Sequence, residues 1–258
     1  MKELPIIFST DMVEAILAGK KRATRRVIKN PERLQGLMLA GEEPAWCPYG
    51  GPGDLLYVRE TWRVGAWDLK DNLIAVDYLA GNYARREWLK CNEKIARHLV
   101  EQSIQDAEKT FGKRPGRGIG FDWEPGQSPC RWRRSIHMPK AFARIWLRVE
   151  NVSADKLQEI TEAEAIAEGA RYKYFDTGFA SPEKRWSMEY PFPKKYFQCL
   201  PTARMAFANY INRLHGGKNW NLKPSNLWDE NPMVWIVEFY GSVPPAGRSL
   251  HETIRNGG

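Results

Sequence analysis

Residues that could hold a metal or close a disulfide are scarce. The 258-residue chain has four cysteines, Cys47, Cys91, Cys130 and Cys199, which lie far apart with no CxxC pair. That spacing excludes a zinc knuckle and a disulfide framework, so reduced thiols and no metal or cofactor are expected. Long apolar runs are missing as well. No stretch of about eighteen apolar residues occurs, and the opening MKELPIIFSTDM lacks the charged, apolar and small-residue regions of a secretory signal. The expectation is a cytoplasmic protein with no membrane partner. Internal repeats and low-complexity blocks are absent, which argues against a solenoid. Only the end, PPAGRSLHETIRNGG, reads as a flexible tail, over 244–258.

Acidic residues are scarce in two places. Between Lys20 and Arg33 the cations Lys20, Lys21, Arg22, Arg25, Arg26, Lys29 and Arg33 meet only Glu32. Between Arg131 and Arg148 there is no acid at all; Arg131, Arg133, Arg134, Lys140, Arg144 and Arg148 alternate with Trp132, His137, Phe142 and Trp146. With a net charge of +8, these stretches point to an anionic partner, of which nucleic acid is the commonest. Cations interleaved with aromatics can neutralise phosphates and stack on bases. The alternative is a strand with one solvated face.

What is present gives several short strands and a few helices, hence an α+β fold: a small β-barrel or a strongly bent sheet. Leu4 to Phe8 reads as a strand, and Asp11 with Glu14 as a capping box that starts a helix ending at Gly19. Thr24 and Arg26 then share one strand face, so Lys21 converges with Thr24 only if the chain bends after Gly19. Leu55 to Trp62 and Leu73 to Leu79 read as strands, Ala84 to Phe111 as one long or two shorter amphipathic helices, and Ala143 to Val152 as a strand. Asn30 to Asp54 and Pro115 to Pro129 read as turn-rich loops. Thr161 with Glu164 forms a second capping box, and the helix stops at Gly169 with Glu168 in its last turn. A carboxyl there lies in the negative potential of the helix end, a setting suited to a proton carrier unless cations offset it. Arg171 to Pro193 reads as an aromatic loop, Thr202 to Leu214 as a helix and Asn231 to Tyr240 as the closing strand. Trp62 and Trp235 read as core.

Four of these places together resemble the ASCH family of PUA-like β-barrels. They are the first helix ending in Ala18-Gly19 followed by Lys21, Thr24 and Arg26; Gly53-Asp54-Leu55-Leu56-Tyr57-Val58; Thr161 to Gly169; and Val234 to Phe239. The resemblance implies a single ASCH domain over 1–243 with insertions at about 64–130 and 171–198. The larger form, with WRRSIHMPKAFARIWL before the second helix, is similar to bacteriophage and prophage proteins. Compact bacterial members hydrolyse N4-acetylcytidine to cytidine and acetate, and their GRKTxTxR and TExxAxxE motifs carry a lysine, a threonine and a glutamate onto Lys21, Thr24 and Glu168. This chain departs from the first motif at Lys20 and Arg22.

Hydrolysis of an amide without a metal needs an activated nucleophile, a proton carrier and donors for the oxyanion. Thr24 supplies a hydroxyl, Lys21 can act as base if burial or neighbouring cations lower its pKa, and Glu168 can carry a proton to the leaving nitrogen. Attack by Thr24 and attack by water both stay open. Arg26, Lys20 and Arg25 are candidate substrate contacts. Glu60 is either a pocket residue or half of a strand ion pair, and His137 either a base or a hydrogen-bonded structural histidine. Arg131, Arg133, Arg134 and Lys140 are candidate nucleic-acid contacts. The resulting expectation is an amidohydrolase acting on N4-acetylcytidine or a related modified nucleoside. Alternatives are a module that binds RNA, single-stranded nucleic acid or a modified base, and an ASCH-type ribonuclease.

Overall fold

The closing strand and the Thr161–Glu164 capping box carry over directly into three dimensions. A computed structural model describes residues 1–32, 47–81, 86–112, 120–178, 181–215 and 226–241. In chain order the elements are β1 (Glu3–Ile7), α1 (Thr10–Leu17), β2 (Ala23–Val27), β3 (Leu55–Arg59), β4 (Trp62–Asp68), β5 (Leu73–Tyr78), β6 (Glu87–Lys90) and α2 (Glu93–Phe111). There follow β7 (Gly120–Asp122), β8 (Trp146–Lys156), α3 (Glu162–Ala167), β9 (Arg171–Phe175), β10 (Glu183–Ser187), α4 (Ala203–Leu214), α5 (Leu227–Glu230) and β11 (Met233–Tyr240). The fold is α+β. Among the described residues no helix is long and apolar enough to cross a membrane.

The central sheet has five strands in the order β1-β3-β8-β11-β2, with β1 parallel to β3 and the other pairs antiparallel. Main-chain pairing leaves β1 and β2 as its edges, so among the described residues the ladder does not close into the expected barrel. The sheet is nonetheless strongly bent: Arg26 on the β2 edge donates through Nη2 to the carbonyl of Ile7 on the β1 edge at 2.6 Å. Its inner face brings Leu56, Val58, Trp235, Val237 and Phe239 into one core with Val13 of α1 and with Phe207 and Ile211 of α4. A second sheet, β6-β5-β4-β7, packs Val64, Trp67 and Val76 against Leu99 and Val100 of α2. Trp62 and Trp235 are both core, each 1% exposed.

Several expected elements differ. The stretch Leu55 to Trp62 breaks at Glu60 and Thr61, where the chain leaves the first sheet for the second. The helix expected from Ala84 starts only at Glu93 behind an Asn92 cap, and Glu87–Lys90 is a strand. Tertiary pairing with β5 outweighs the helical spacing of Trp88 and Cys91 there. Arg171 to Pro193 is a β-hairpin for much of its length rather than a loop. The first helix is capped by Ser9 instead of an Asp11 box, because the Asp11 carboxylate accepts from the Tyr190 N–H and the Tyr210 hydroxyl. The expected tail, 244–258, and much of the turn-rich passage, 33–46, lie outside the described residues.

Two helices end in the same way and against each other. In α1 the N–H groups of Gly19 and Lys20 return to the carbonyls of Ile16 and Ala15; in α3 those of Gly169 and Ala170 return to Ile166 and Ala165. These are paired Schellman ends, each built on a glycine with positive φ, +66° at Gly19 and +111° at Gly169. A Cβ at Gly169 would stand 3.1 Å from the Ala15 Cβ and 3.6 Å from the Lys21 Cβ. Gly169 thus needs both its conformation and its missing side chain. Gly169→Ala is expected to lower stability by about 1–3 kcal/mol in urea unfolding; an unchanged midpoint would mean that this junction is not tight.

Candidate active site

The bend at Gly19 turns the chain from α1 toward the end of α3. The Lys20 and Lys21 N–H groups both bond the Ala15 carbonyl, and the Arg22 N–H bonds Ala167 at 2.7 Å. This places Lys21 between the two helix ends. Its ammonium donates to Glu168 Oε2 at 2.6 Å, to the Glu168 carbonyl at 2.9 Å and to the Ala23 carbonyl at 2.7 Å, which uses all three of its N–H bonds. Both side chains are sealed from solvent, with 0% exposure for Lys21 and 1% for Glu168.

Two arginines complete the charge cluster. Arg25 sits over α3, with Nη2 at 3.1 Å from Glu164 Oε1 and Nη1 at 3.6 Å from Glu168 Oε1. Glu164 serves twice, since its other oxygen closes the Thr161 capping box. The 3.6 Å gap is too long for a hydrogen bond, and Glu168 Oε1 and the Nε and Nη1 atoms of Arg25 are buried with no hydrogen-bond partner. Arg26 lies over the Phe8 ring at 4.9 Å, and the Lys21 ammonium lies 5.6 Å from the same ring. Burial lowers the pKa of Lys21, as do the Arg26 and Arg25 charges, while the Glu168 carboxylate opposes the shift. Burial also lowers Arg26, against the opposing fields of Tyr49 and Glu168.

Thr24 is 1% exposed on β2, paired across the ladder with Val237. Among the described residues no hydrogen bond joins its hydroxyl to Lys21 or Glu168. Lys20 is exposed and outside the cluster. The expected set is therefore brought together for Lys21, Glu168, Arg25 and Arg26, with Thr24 on the connecting strand. Sequence reasoning missed Phe8, which carries both cations, and Tyr49 and His215, whose fields couple to Arg26. They come from three distant segments, and no local spacing links them.

Glu60 and His137 do not join this site. Glu60, 1% exposed, accepts from Arg144 Nε at 2.9 Å and Nη2 at 2.8 Å, and Arg144 also bonds the Ala80 carbonyl and covers the Tyr78 ring. It is half of a fully satisfied buried pair at the junction of the two sheets. Burial raises its carboxyl pKa, and the two Arg144 bonds oppose the shift. His137 is exposed on a 3-10 turn. The second basic stretch does not form a free groove either. Arg133 bonds Gln102 and lies over Trp62, Lys140 pairs with Glu3, and Arg131 is held by Asp106; Arg134 alone of the four named contacts is exposed without an ion pair among the described residues. Alternation in that stretch reflects side chains anchoring the loop before β8. A separate cleft lies between the end of β10 and α4, lined by residues that include Trp186, Ser187, Asn209 and Tyr210. No group of three His, Cys, Asp or Glu residues among those described is arranged to hold a metal.

No protein-family model matches the chain, and no curated protein or solved structure matches it.

Removing one partner of a buried ion pair leaves the other charge stranded. Lys21→Met and Glu168→Met are each expected to cost about 3–5 kcal/mol, and the Lys21→Met/Glu168→Met double variant much less than their sum. Urea unfolding of the four proteins in the cycle reads this; additive losses would show the two charges to be uncoupled.

Proposed function

We propose that the chain is an amidohydrolase of the ASCH type, built on a PUA-like bent sheet, that removes an acyl group from N4-acetylcytidine or a closely related modified nucleoside. The observation that carries the proposal is the unsatisfied Glu168 Oε1 facing the unsatisfied Arg25 Nη1 beside a lysine whose pKa is lowered by burial. A buried structural pair normally uses all of its acceptors and donors. Unused ones at a charge cluster suit a reacting group.

In the resting arrangement Lys21 is a donor and cannot accept a proton. The 2.6 Å bond to Glu168 provides the way out, because transfer of one proton along it gives a neutral amine and a carboxylic acid. Desolvation favours this neutral pair. The amine then takes a proton from the Thr24 hydroxyl or from a water as its oxygen attacks the acyl carbon. The Glu168 proton goes to the departing N4 nitrogen, and the C–N bond breaks. Where Thr24 attacks, water then splits its ester with the acyl group and restores the hydroxyl; in either route water supplies the oxygen of the released carboxylic acid, and cytidine leaves as the amine. Arg26, half-buried and nearer the surface than Lys21, contacts the substrate or its developing oxyanion.

A second reading is favoured by the complete hydrogen bonding of the Lys21 ammonium: a clasp that ties the end of α3 to the start of β2 and has no chemistry. Mass-spectrometric detection of cytidine released from N4-acetylcytidine separates the two. Turnover by the wild type is expected, with Lys21→Met, Thr24→Val and Glu168→Gln each losing about 10²-fold or more. Arg26→Met is expected to raise KM more than it lowers kcat. A folded wild-type protein that releases no cytidine would leave only the clasp.

A further inference from the structure

The hairpin β9–β10 leaves the candidate site directly: Arg171, its first residue, follows Glu168 by only Gly169 and Ala170. Its two faces have different fates. On one face Phe175 packs on Phe192 and Tyr196, and Arg185 lies over Tyr196 at 4.0 Å, so residues from the following segment cover it. The opposite face carries Tyr172 and Tyr174 of β9 across from Trp186 and Lys184 of β10. Trp186, 7% exposed, anchors this face in the main core, whereas Tyr172 and Tyr174 are 49% and 63% exposed. Tyr172 meets Trp186 at 5.0 Å and Tyr174 at 5.7 Å, and the Lys184 ammonium stands 4.0 Å from the Tyr172 ring centre.

We infer that this hairpin face binds single-stranded nucleic acid, with Tyr172 and Tyr174 stacking on unpaired bases and Lys184, on the same face, neutralising a phosphate. Residues two apart on a strand share a face at about 6.6–6.8 Å, and exposed aromatics so placed on a sheet stack successive bases. The charge complements a phosphate chain. Of the two strands' residues, the acid Glu183 is committed to Arg185 and Tyr196, and Lys184 takes part in no ion pair among the described residues. The face exposes no aliphatic side chain that could enter a lipid layer, and a duplex hides the base faces that the tyrosines need. The inference concerns a surface separate from Lys21 and Glu168, and it stands whether or not the protein hydrolyses an amide.

Fluorescence anisotropy with labelled twelve-residue oligo(U) and oligo(dT), at 50 and 200 mM salt, tests it. Binding to at least one of them is expected, weakening as salt rises. The Tyr172→Leu/Tyr174→Leu variant should bind about tenfold or more weakly, while Tyr172→Phe/Tyr174→Phe should bind like the wild type. Lys184→Gln should reduce the salt slope by about 0.7, the value for one phosphate contact on a single strand. Oligonucleotide binding by a wild-type protein that releases no cytidine would still support the inference, which separates this result from the fate of the hydrolase proposal. Unchanged affinity in the folded leucine variant, equal binding to a duplex, or binding only to anionic vesicles would each overturn the inference.

Discussion

Two helix C-termini pointing at one another would repel, and the Lys21 ammonium lets them meet. Each helix presents carbonyls and a negative dipole end there, and α3 adds the Glu168 carboxylate. The Schellman turns at Gly19 and Gly169 absorb some of these acceptors, but the Glu168 carbonyl still needs a donor. Lys21 supplies it, together with a bond to Ala23 that fixes the start of β2. The Arg22 N–H bond to Ala167 and the Phe239 N–H bond to Arg22 then pass that position on to α3 and β11. The bent sheet, the first helix and the site share one junction. A change at Lys21 therefore acts on the fold as well as on the chemistry proposed for it.

Among the other buried ion pairs, Glu60–Arg144 makes an informative contrast with Lys21–Glu168. Glu60 and Arg144 meet in a bidentate arrangement in which both carboxylate oxygens are used. That is the economical form of a buried pair, in which the attraction and the hydrogen bonds together offset desolvation. They join the segment between β3 and β4 to the approach to β8, and nothing more is required of them. At Glu168 one oxygen is bonded and the other is not, although Arg25 is near enough to approach it. A cluster serving only to hold the chain together would gain by closing that gap. Leaving it open costs stability, and such a cost is commonly found at functional sites.

Much of the junction was legible because it is local. Gly19 and Gly169 as stops, the Thr161–Glu164 box and the bend required for Lys21 to turn all follow from spacing within a few residues. The pairing of Lys21 with Glu168 spans most of the chain, and no periodicity carries it; only the resemblance of separate motifs brought those two together. Where local signals failed, a distant partner had taken the residue. Asp11 has the chemistry of a cap but serves Tyr190 and Tyr210, and the helical spacing around Trp88 yields to pairing with β5. Glu60 beside Arg59 suggested a neighbouring ion pair, yet its partner is Arg144 from a different element. The hairpin was hidden for a simpler reason: its alternating residues are aromatic and cationic rather than apolar and polar, and the usual two-residue period gives no contrast.

Net charge is a property of composition, but its effect depends on which cations remain free. A cation closely paired with a carboxylate contributes little to the field at a distance, whereas an exposed, unpaired one contributes until salt screens it within about 8–10 Å. Lys21, Arg25, Arg63, Arg86 and Arg144 are all set against acids in the interior. Lys140 and Arg131 are paired at the surface. The two densest basic stretches of the sequence are thus only partly neutralised by the fold: Lys21, Arg25, Arg131, Lys140 and Arg144 are paired, while Lys20, Arg22, Lys29 and Arg134 are exposed without an ion pair among the described residues. Lys184 of the hairpin, in a less concentrated stretch, also lacks an ion pair and stands beside the exposed rings of Tyr172 and Tyr174. Density of charge along the chain is a poor guide to an electrostatic surface; the positions of the acids that fold against it decide.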